Sequence, residues 1–344
     1  SSSLAIGSKA DFKRVCFFSK INRRNQSHNR NFMKKKIAFI INPKSGTSDK
    51  KNLPEQIKSG ISLEKWEEPT IIFTKYAGHG KELTRKYVHE GYDVVVACGG
   101  DGTMNEVASE LIGTDVAFGL IPFGSGNGLA RHLDISMSPQ KAIYQINNGE
   151  IQTMDYGLVN EEPFFCTCGT GFDAHISHTF AHANQRGFFS YLKLVVREYF
   201  KYKSYRYKLE AGDTIISQRA FLVTFANASQ FGNMAYIAPH ANTQDGLLDI
   251  CILSTFPVYS IPRMAWQLFM RKIDQSRHVS MLQTRKAVLH RPFEGEFHID
   301  GEAVTLGKKI EISIVPKGLR IIYSKLTPLQ KVPLPPFLKL PDGH

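Results

Sequence analysis

In Gly99-Gly100-Asp101-Gly102-Thr103 one carboxylate stands inside a glycine-rich turn. Glycines without Cβ let a phosphate approach the backbone, where free N–H groups and the positive end of a following helix attract it. A carboxylate there repels phosphate, so Asp101 makes chemical sense if it holds a Mg²⁺, orients an acceptor hydroxyl or takes its proton. Two more turns share this character: Asn42-Pro43-Lys44-Ser45-Gly46, with Lys44 as a candidate phosphate cation, and Phe123-Gly124-Ser125-Gly126-Asn127-Gly128. None has Walker A spacing, and no GxGxxG with a downstream acid is present. Taken singly, each is equally an ordinary tight turn, because these are the commonest turn residues. Far downstream, Asp300-Gly301-Glu302 supplies two further acids. Strand alternation over 296–300 puts Phe297 and Ile299 on one face and Glu296, His298 and Asp300 on the other, so Asp300 points into solvent or a cleft.

The elements that must position these residues follow α/β grammar. The runs 37–41, 71–74, 94–98 and 116–121 are nearly continuous in apolar residues, as in a parallel sheet covered on both faces. Each ends at a turn, and ligands on such sheets lie beyond the carboxyl ends of the strands. Behind Asp101, the residues Met104, Val107, Ala108, Leu111 and Ile112 recur at helical spacing. Past about residue 155 the runs 164–168, 205–210, 220–226 and 309–315 alternate and are rich in aromatics, which predicts a mainly antiparallel β half. Helical stretches over 190–200 and 263–272 interrupt it. His175, His178 and His182 could share a helix face, but no carboxylate completes an evident metal-ligand set. The run 201–208 interleaves Lys and Arg with Tyr and suits either anionic headgroups or a half-exposed strand.

With 344 residues, 42% apolar and 22% charged, the chain has material for roughly two domains and is neither disordered overall nor a small stapled scaffold. Its net charge of +12 is concentrated: residues 1–36 hold ten Lys or Arg against Asp11, which leaves only +3 for the rest. A near-neutral body argues against a folded nucleic-acid-binding face. The leader, 1–33, is expected to be a disordered basic arm with no secretory apolar region, weakly like a transit peptide, and Met33 is the expected start of the folded protein. Five cysteines without a CxxC pair favour a reducing compartment. No apolar run approaches the ~18 residues of a spanning helix, so membrane contact is expected to be peripheral.

The ordered set Asn42-Pro43-Lys44-Ser45-Gly46, Gly99-Gly100-Asp101-Gly102-Thr103 with Asn105-Glu106, Pro122-Phe123-Gly124-Ser125-Gly126-Asn127 and Asp300-Gly301-Glu302 resembles the diacylglycerol kinase catalytic-domain family, which includes bacterial lipid kinases and sphingosine kinases. The likeness spans about residues 36 to 324; the GGDGT element alone is shared with NAD and 6-phosphofructo kinases. It implies an α/β ATP-binding domain at 34–155 and a mainly antiparallel β-sandwich lipid-binding domain at 156–324, with the active site in the cleft between them. A Pro-rich tail follows at 325–344. It further implies ATP- and Mg²⁺-dependent phosphorylation of a lipid hydroxyl, of diacylglycerol or a sphingoid base, by a cytoplasmic protein bound peripherally to a membrane. By position, the ATP-binding residues are Asn42, Pro43, Lys44, Thr74, Gly99, Gly100, Asp101, Gly102, Thr103, Met104, Asn105, Glu106 and Ser125. Asp300 and Glu302 match the motif that supplies the general base, Asp101 matches the acid given that role in sphingosine kinases, and Asp245 matches an acid that holds a structural Mg²⁺. An NAD kinase, or a non-catalytic binding protein on the same scaffold, is the alternative.

Overall fold

The computed structural model describes residues 34–46, 50–181 and 188–323. The basic leader with Cys16, His182 and the Pro-rich tail lie outside the described residues. Strands β1 (Ile37–Ile41), β2 (Thr70–Phe73), β3 (Val94–Gly99) and β4 (Ala117–Pro122) form a parallel sheet in the order β2-β1-β3-β4. Between and after them come helices α1 (Leu53–Gly60), α2 (His79–His89), α3 (Asp101–Leu111), α4 (Gly128–His132) and α5 (Pro139–Asn148). β1, β3 and β4 are buried along their whole length, which is why their sequences are continuously apolar rather than alternating. α3 buries Met104, Val107, Ala108 and Leu111, the stripe read from the sequence, and Ile112 caps its end.

The second half runs β5 (Glu150–Val159), β6 (Glu162–Phe164), β7 (Thr167–Gly171), α6 (Phe172–Ala181), α7 (Phe188–Tyr199), β8 (Tyr205–Ala211), β9 (Thr214–Ala220), β10 (Leu222–Ala226) and β11 (Leu248–Leu253). Then follow α8 (Ile261–Phe269), β12 (Val279–Thr284), β13 (Lys286–His290), β14 (Gly295–Ile299), β15 (Glu302–Leu306) and β16 (Lys309–Tyr323). An antiparallel sheet ordered β12-β11-β10-β7-β14-β15 packs on the β16-β13-β8-β9 sheet. Val223, Phe225, Ile250, Phe297, Leu289 and Ile312 fill the space between them as a sandwich core. β14 alternates as expected, with Phe297 turned into that core.

Two expected strands are broken. The run 164–168 divides into β6 and β7 because the amides of Phe165, Cys166 and Thr167 are bound by a carboxylate, not by a neighbouring strand. The run 220–226 divides at Phe221 into β9 and β10. The last strand is longer than its alternating pattern suggested. β16 pairs with β13 in the sandwich, bulges between Val315 and Leu319, and then continues beside β5 until Ile321 lies parallel to Phe118 of β4. Leu319, Ile321, Ile322 and Tyr323 therefore belong to the core of the N-terminal α/β unit, and one ten-stranded sheet runs through both halves. The four described cysteines are free and buried.

Candidate active site

The three glycine-rich turns leave the carboxyl ends of β1, β3 and β4 and touch one another. Gly100 and Gly124 approach so closely that a Cβ on Gly124 would lie 2.7 Å from the Gly100 Cα. Gly46, at φ +64°, packs on the Phe123 carbonyl. The Lys50 side chain donates to the Ser45 carbonyl and lies 5.1 Å from the Phe123 ring centroid, tying the first turn to the second. Asn42 donates from Nδ2 to Thr103 Oγ1 at 2.9 Å and accepts the Lys44 N–H at 2.9 Å, which fixes the first turn against the start of α3. Asn127 locks the second turn, accepting the Gly124 N–H and donating to the Gly124 carbonyl.

Asp101 has an architectural task that its position in the sequence did not disclose. Its Oδ2 accepts the Asn127 N–H and its Oδ1 the Gly128 N–H, both at 3.0 Å, so it caps α4 and holds the second turn to the first residue of α3. Burial raises its pKa, while these two donors and the Arg131 charge oppose the rise. Glu106 does the same for α2: its two oxygens accept the Gly78 and Gly80 N–H groups at 2.8 and 2.9 Å.

Asp300 adopts φ +49° just past β14 and turns its carboxylate inward. Oδ1 accepts the amides of Cys166 and Thr167, and Oδ2 accepts the Phe165 amide and the Asn105 side chain, at 2.8 to 3.2 Å. Four donors occupy the four lone-pair positions of a carboxylate. Desolvation nevertheless outweighs them and pushes the pKa up to about 6. The Asn105–Asp300 bond joins α3 of the α/β unit directly to the sandwich. Glu302 differs from both acids: it is exposed, its carboxylate has no hydrogen-bond partner among the described residues, and Oε1 lies 2.9 Å from where a Gly102 Cβ would stand. Desolvation raises its pKa and the Glu106 charge adds to the rise, with Lys81 opposing.

The remaining sequence-derived candidates fall in two groups. Pro43 and Lys44 are exposed on the first turn, Thr74 follows β2 with its amide on the Ile41 carbonyl, and Ser125 is exposed at the tip of the second turn. Gly99 packs on the Thr103 side chain. Met104 does not face the cleft: it is 2% exposed in the α/β core and its amide is bound to the Gly100 carbonyl, because it lies on the packed stripe of α3. Asp245 sits exposed in the turn before β11, with Oδ1 on the Leu247 amide. Among the described residues no group of three acidic, His or Cys side chains gathers there or elsewhere to hold a metal ion.

Sequence reasoning missed a buried polar cluster beside Asp300. Asp173, from α6, accepts from Thr224 Oγ1 at 2.7 Å and lies 3.2 Å from His298 Nε2. Thr224 and His298 both stand opposite Gly169 in the sheet, and a Cβ there would meet the Asp173 carboxylate at 2.8 Å. The signal available was the Gly in an otherwise well-formed strand. His175 is held by Glu296 at 3.0 Å and Glu198 at 3.3 Å, and His178 by the Val304 carbonyl, so the histidine spacing serves packing of α6 on the sheet.

Comparison with known proteins places this geometry. Residues 36–159 match the family model described as diacylglycerol kinase catalytic domain, and residues 166–323 match the YegS C-terminal NAD kinase beta sandwich-like domain. A protein of Pectobacterium atrosepticum named "Probable lipid kinase YegS-like" is 26% identical over 84% of this chain and 95% of its own length. A diacylglycerol kinase of Mycobacterium tuberculosis is 28% identical, covering 72% of this chain and 82% of that protein. The crystal structure of a diacylglycerol kinase from Bacillus anthracis shares the fold with a TM-score of 0.65 at 18% identity, over 85% of this chain and 97% of that one. The chain thus carries a diacylglycerol kinase catalytic domain followed by a YegS C-terminal NAD kinase beta sandwich-like domain, and its relatives are named lipid kinase YegS-like and diacylglycerol kinase.

Proposed function

We propose that this protein transfers the γ-phosphate of Mg·ATP to the hydroxyl of a lipid, diacylglycerol or a sphingoid base. The observation that carries the reading is Glu302. It is the cleft acid whose oxygens have no donor among the described residues, and it overhangs Gly102 at the start of α3, where the three turns meet. Asp101 and Asp300 have their oxygens engaged and act by holding turns and halves together. Glu302 is then the general base: it takes the proton of the lipid hydroxyl as that oxygen bonds to the γ-phosphorus, and the bond to the bridging oxygen breaks to release ADP. Its raised pKa keeps the acceptor basic enough for the transfer. Mg²⁺, arriving with ATP, neutralises charge on the transferred group, and positioning supplies most of the remaining catalysis. Asn42, Lys44, Thr74, Gly100, Gly102 and Ser125 border the space for the nucleotide.

The test is transfer of labelled γ-phosphate by the purified chain, offered diacylglycerol in mixed micelles, sphingosine, ceramide and NAD side by side, with Glu302→Gln as control. Label in an organic-phase product, lost in the control, supports the reading and names the acceptor. Label in NADP instead would move the protein to the NAD-kinase reaction, and no product with Mg·ATP bound would leave a non-catalytic binding protein.

A further inference from the structure

The exposed large apolar side chains among the described residues are not scattered evenly. The turn Val258–Ser260 and α8 expose Val258, Tyr259 and Trp266, at 51%, 76% and 50%, while Met264 on the opposite face packs into the core beside Phe221 and Ile237. The helix is amphipathic, with Met264 and Gln267 buried and Arg263 and Trp266 exposed one turn apart, so its outer face presents a large apolar ring beside a cation. Tyr199 at the end of α7 donates to the Phe256 carbonyl at 2.7 Å, which brings Phe200, 67% exposed, to the same end of the sandwich.

The charges around these residues are of one sign. Between Asp249 and Asp274 the chain has no acid, whereas Arg263, Arg271 and Lys272 are exposed there, and the Lys272 ammonium lies 5.4 Å from the Trp266 ring centroid. Asp274 faces His240 at 3.5 Å, and Glu198 on α7 is tied to Arg197 and Lys201. Exposed Trp and Tyr rimmed by Lys and Arg match the headgroup layer of a membrane, where amphipathic rings sit at the boundary and cations meet anionic lipid. The patch also borders the cleft: the Leu268 carbonyl of α8 accepts the Tyr236 amide at 3.0 Å, and Asn233, three residues away, donates to the Gly126 carbonyl of the second turn at 3.1 Å.

We infer that Val258, Tyr259 and Trp266, with Arg263 and Lys272, form the surface that docks on an anionic bilayer and sets the cleft against it. The inference rests on the lipid-kinase reading for the choice of a bilayer as occupant. The protein has two tryptophans, and Trp66 is 3% exposed, so a change of Trp emission reports on Trp266. The experiment mixes full chain, without ATP, with phosphatidylcholine vesicles or with vesicles containing phosphatidylglycerol, and reads emission and co-sedimentation. Expected are a blue shift with the anionic vesicles, at least tenfold weaker binding for Tyr259→Ser/Trp266→Ser, and about fivefold weaker binding for Arg263→Gln, the loss from one interfacial cation. Phosphate transfer to short-chain dispersed diacylglycerol is expected to stay unchanged in the same variants; its failure in the parent chain would count against the kinase reading alone. Vesicle capture with unmoved emission and no response to the double variant would assign binding to the basic leader and overturn the inference. So would a solution dimer that Trp266→Ser converts to monomer, which would make a second copy the occupant.

Discussion

Asp101, Asp300 and Glu302 carry the same functional group in three different settings, and the settings decide their roles. In the proposed reaction Glu302 accepts the proton, so Glu302→Gln is expected to lower kcat by about 10² or more with KM for ATP little changed, since general bases contribute on that scale. The acidic limb of kcat against pH should lie above the ordinary carboxylate range in the parent, because partial desolvation of the Glu302 carboxylate and the Glu106 charge raise its pKa, and should vanish in the variant. Asp300 gives a stability signature. Its pKa is about 6 when folded and near the ordinary Asp value when unfolded, so between those values the folded chain holds a proton that the unfolded chain has released. Stability from this group is therefore present below the unfolded value and lost as pH rises through about 6. Melting temperatures measured from pH 4 to 7 should fall less steeply in Asp300→Asn than in the parent. An equal slope in both would exclude Asp300 as the titrating group.

At the scale of elements, the cleft is a contact between turns. Gly124 is held within 2.7 Å of both the Gly100 Cα and the Asn127 Oδ1 when measured from the place of a Cβ, so Gly124→Ala must push the second turn off the first. The expected result is a kcat/KM for ATP lowered by about 10²-fold, because an ångström of misplacement costs that much in a positioned reaction. Glu106 acts on α2 through two backbone amides, and Glu106→Gln leaves one of them facing an NH₂ group. A destabilisation of about 1–3 kcal/mol by urea titration is expected from the unsatisfied amide. Elements with a strong local pattern were legible in advance. α3 was readable from Met104, Val107, Ala108 and Leu111, and the parallel strands from their unbroken apolar runs. The break between β6 and β7 was not, because Phe164 to Cys168 contains no Gly, Pro or other turn residue and the cause of the break, Asp300, lies far along the chain.

For the whole molecule, β16 is the member common to both halves. Ile321 is fully buried in the α/β core although it follows the sandwich in sequence. Ile321→Ala should cost about 2–5 kcal/mol, the range for a large-to-small change in a packed core. Because one sheet spans both halves, the loss should move the whole transition: Trp66 in the α/β core and Trp266 on the sandwich should report one midpoint in the parent and one lower midpoint in the variant. Two separate midpoints would show that the halves unfold independently. No helix among the described residues is long and apolar enough to cross a membrane.

What the sequence determined by itself was whatever local spacing encodes. The order of strand, glycine turn and helix, the buried parallel sheet and the antiparallel second half follow from periodicities of two or 3.6 residues and from turn chemistry; the same cues mark Asp101 in its turn and Asp300 at its strand end, while Glu302 stood out through the motif's resemblance to the kinase family. Tertiary structure alone decided which acid lacks a donor among the described residues, because that depends on groups such as Asn127, Cys166 and Asn105 that are distant in sequence from the carboxylate they bind. It also decided that the final strand returns to the first core, since pairing between Ile321 and Phe118 is a long-range hydrogen-bonding choice that an alternating strand pattern leaves open.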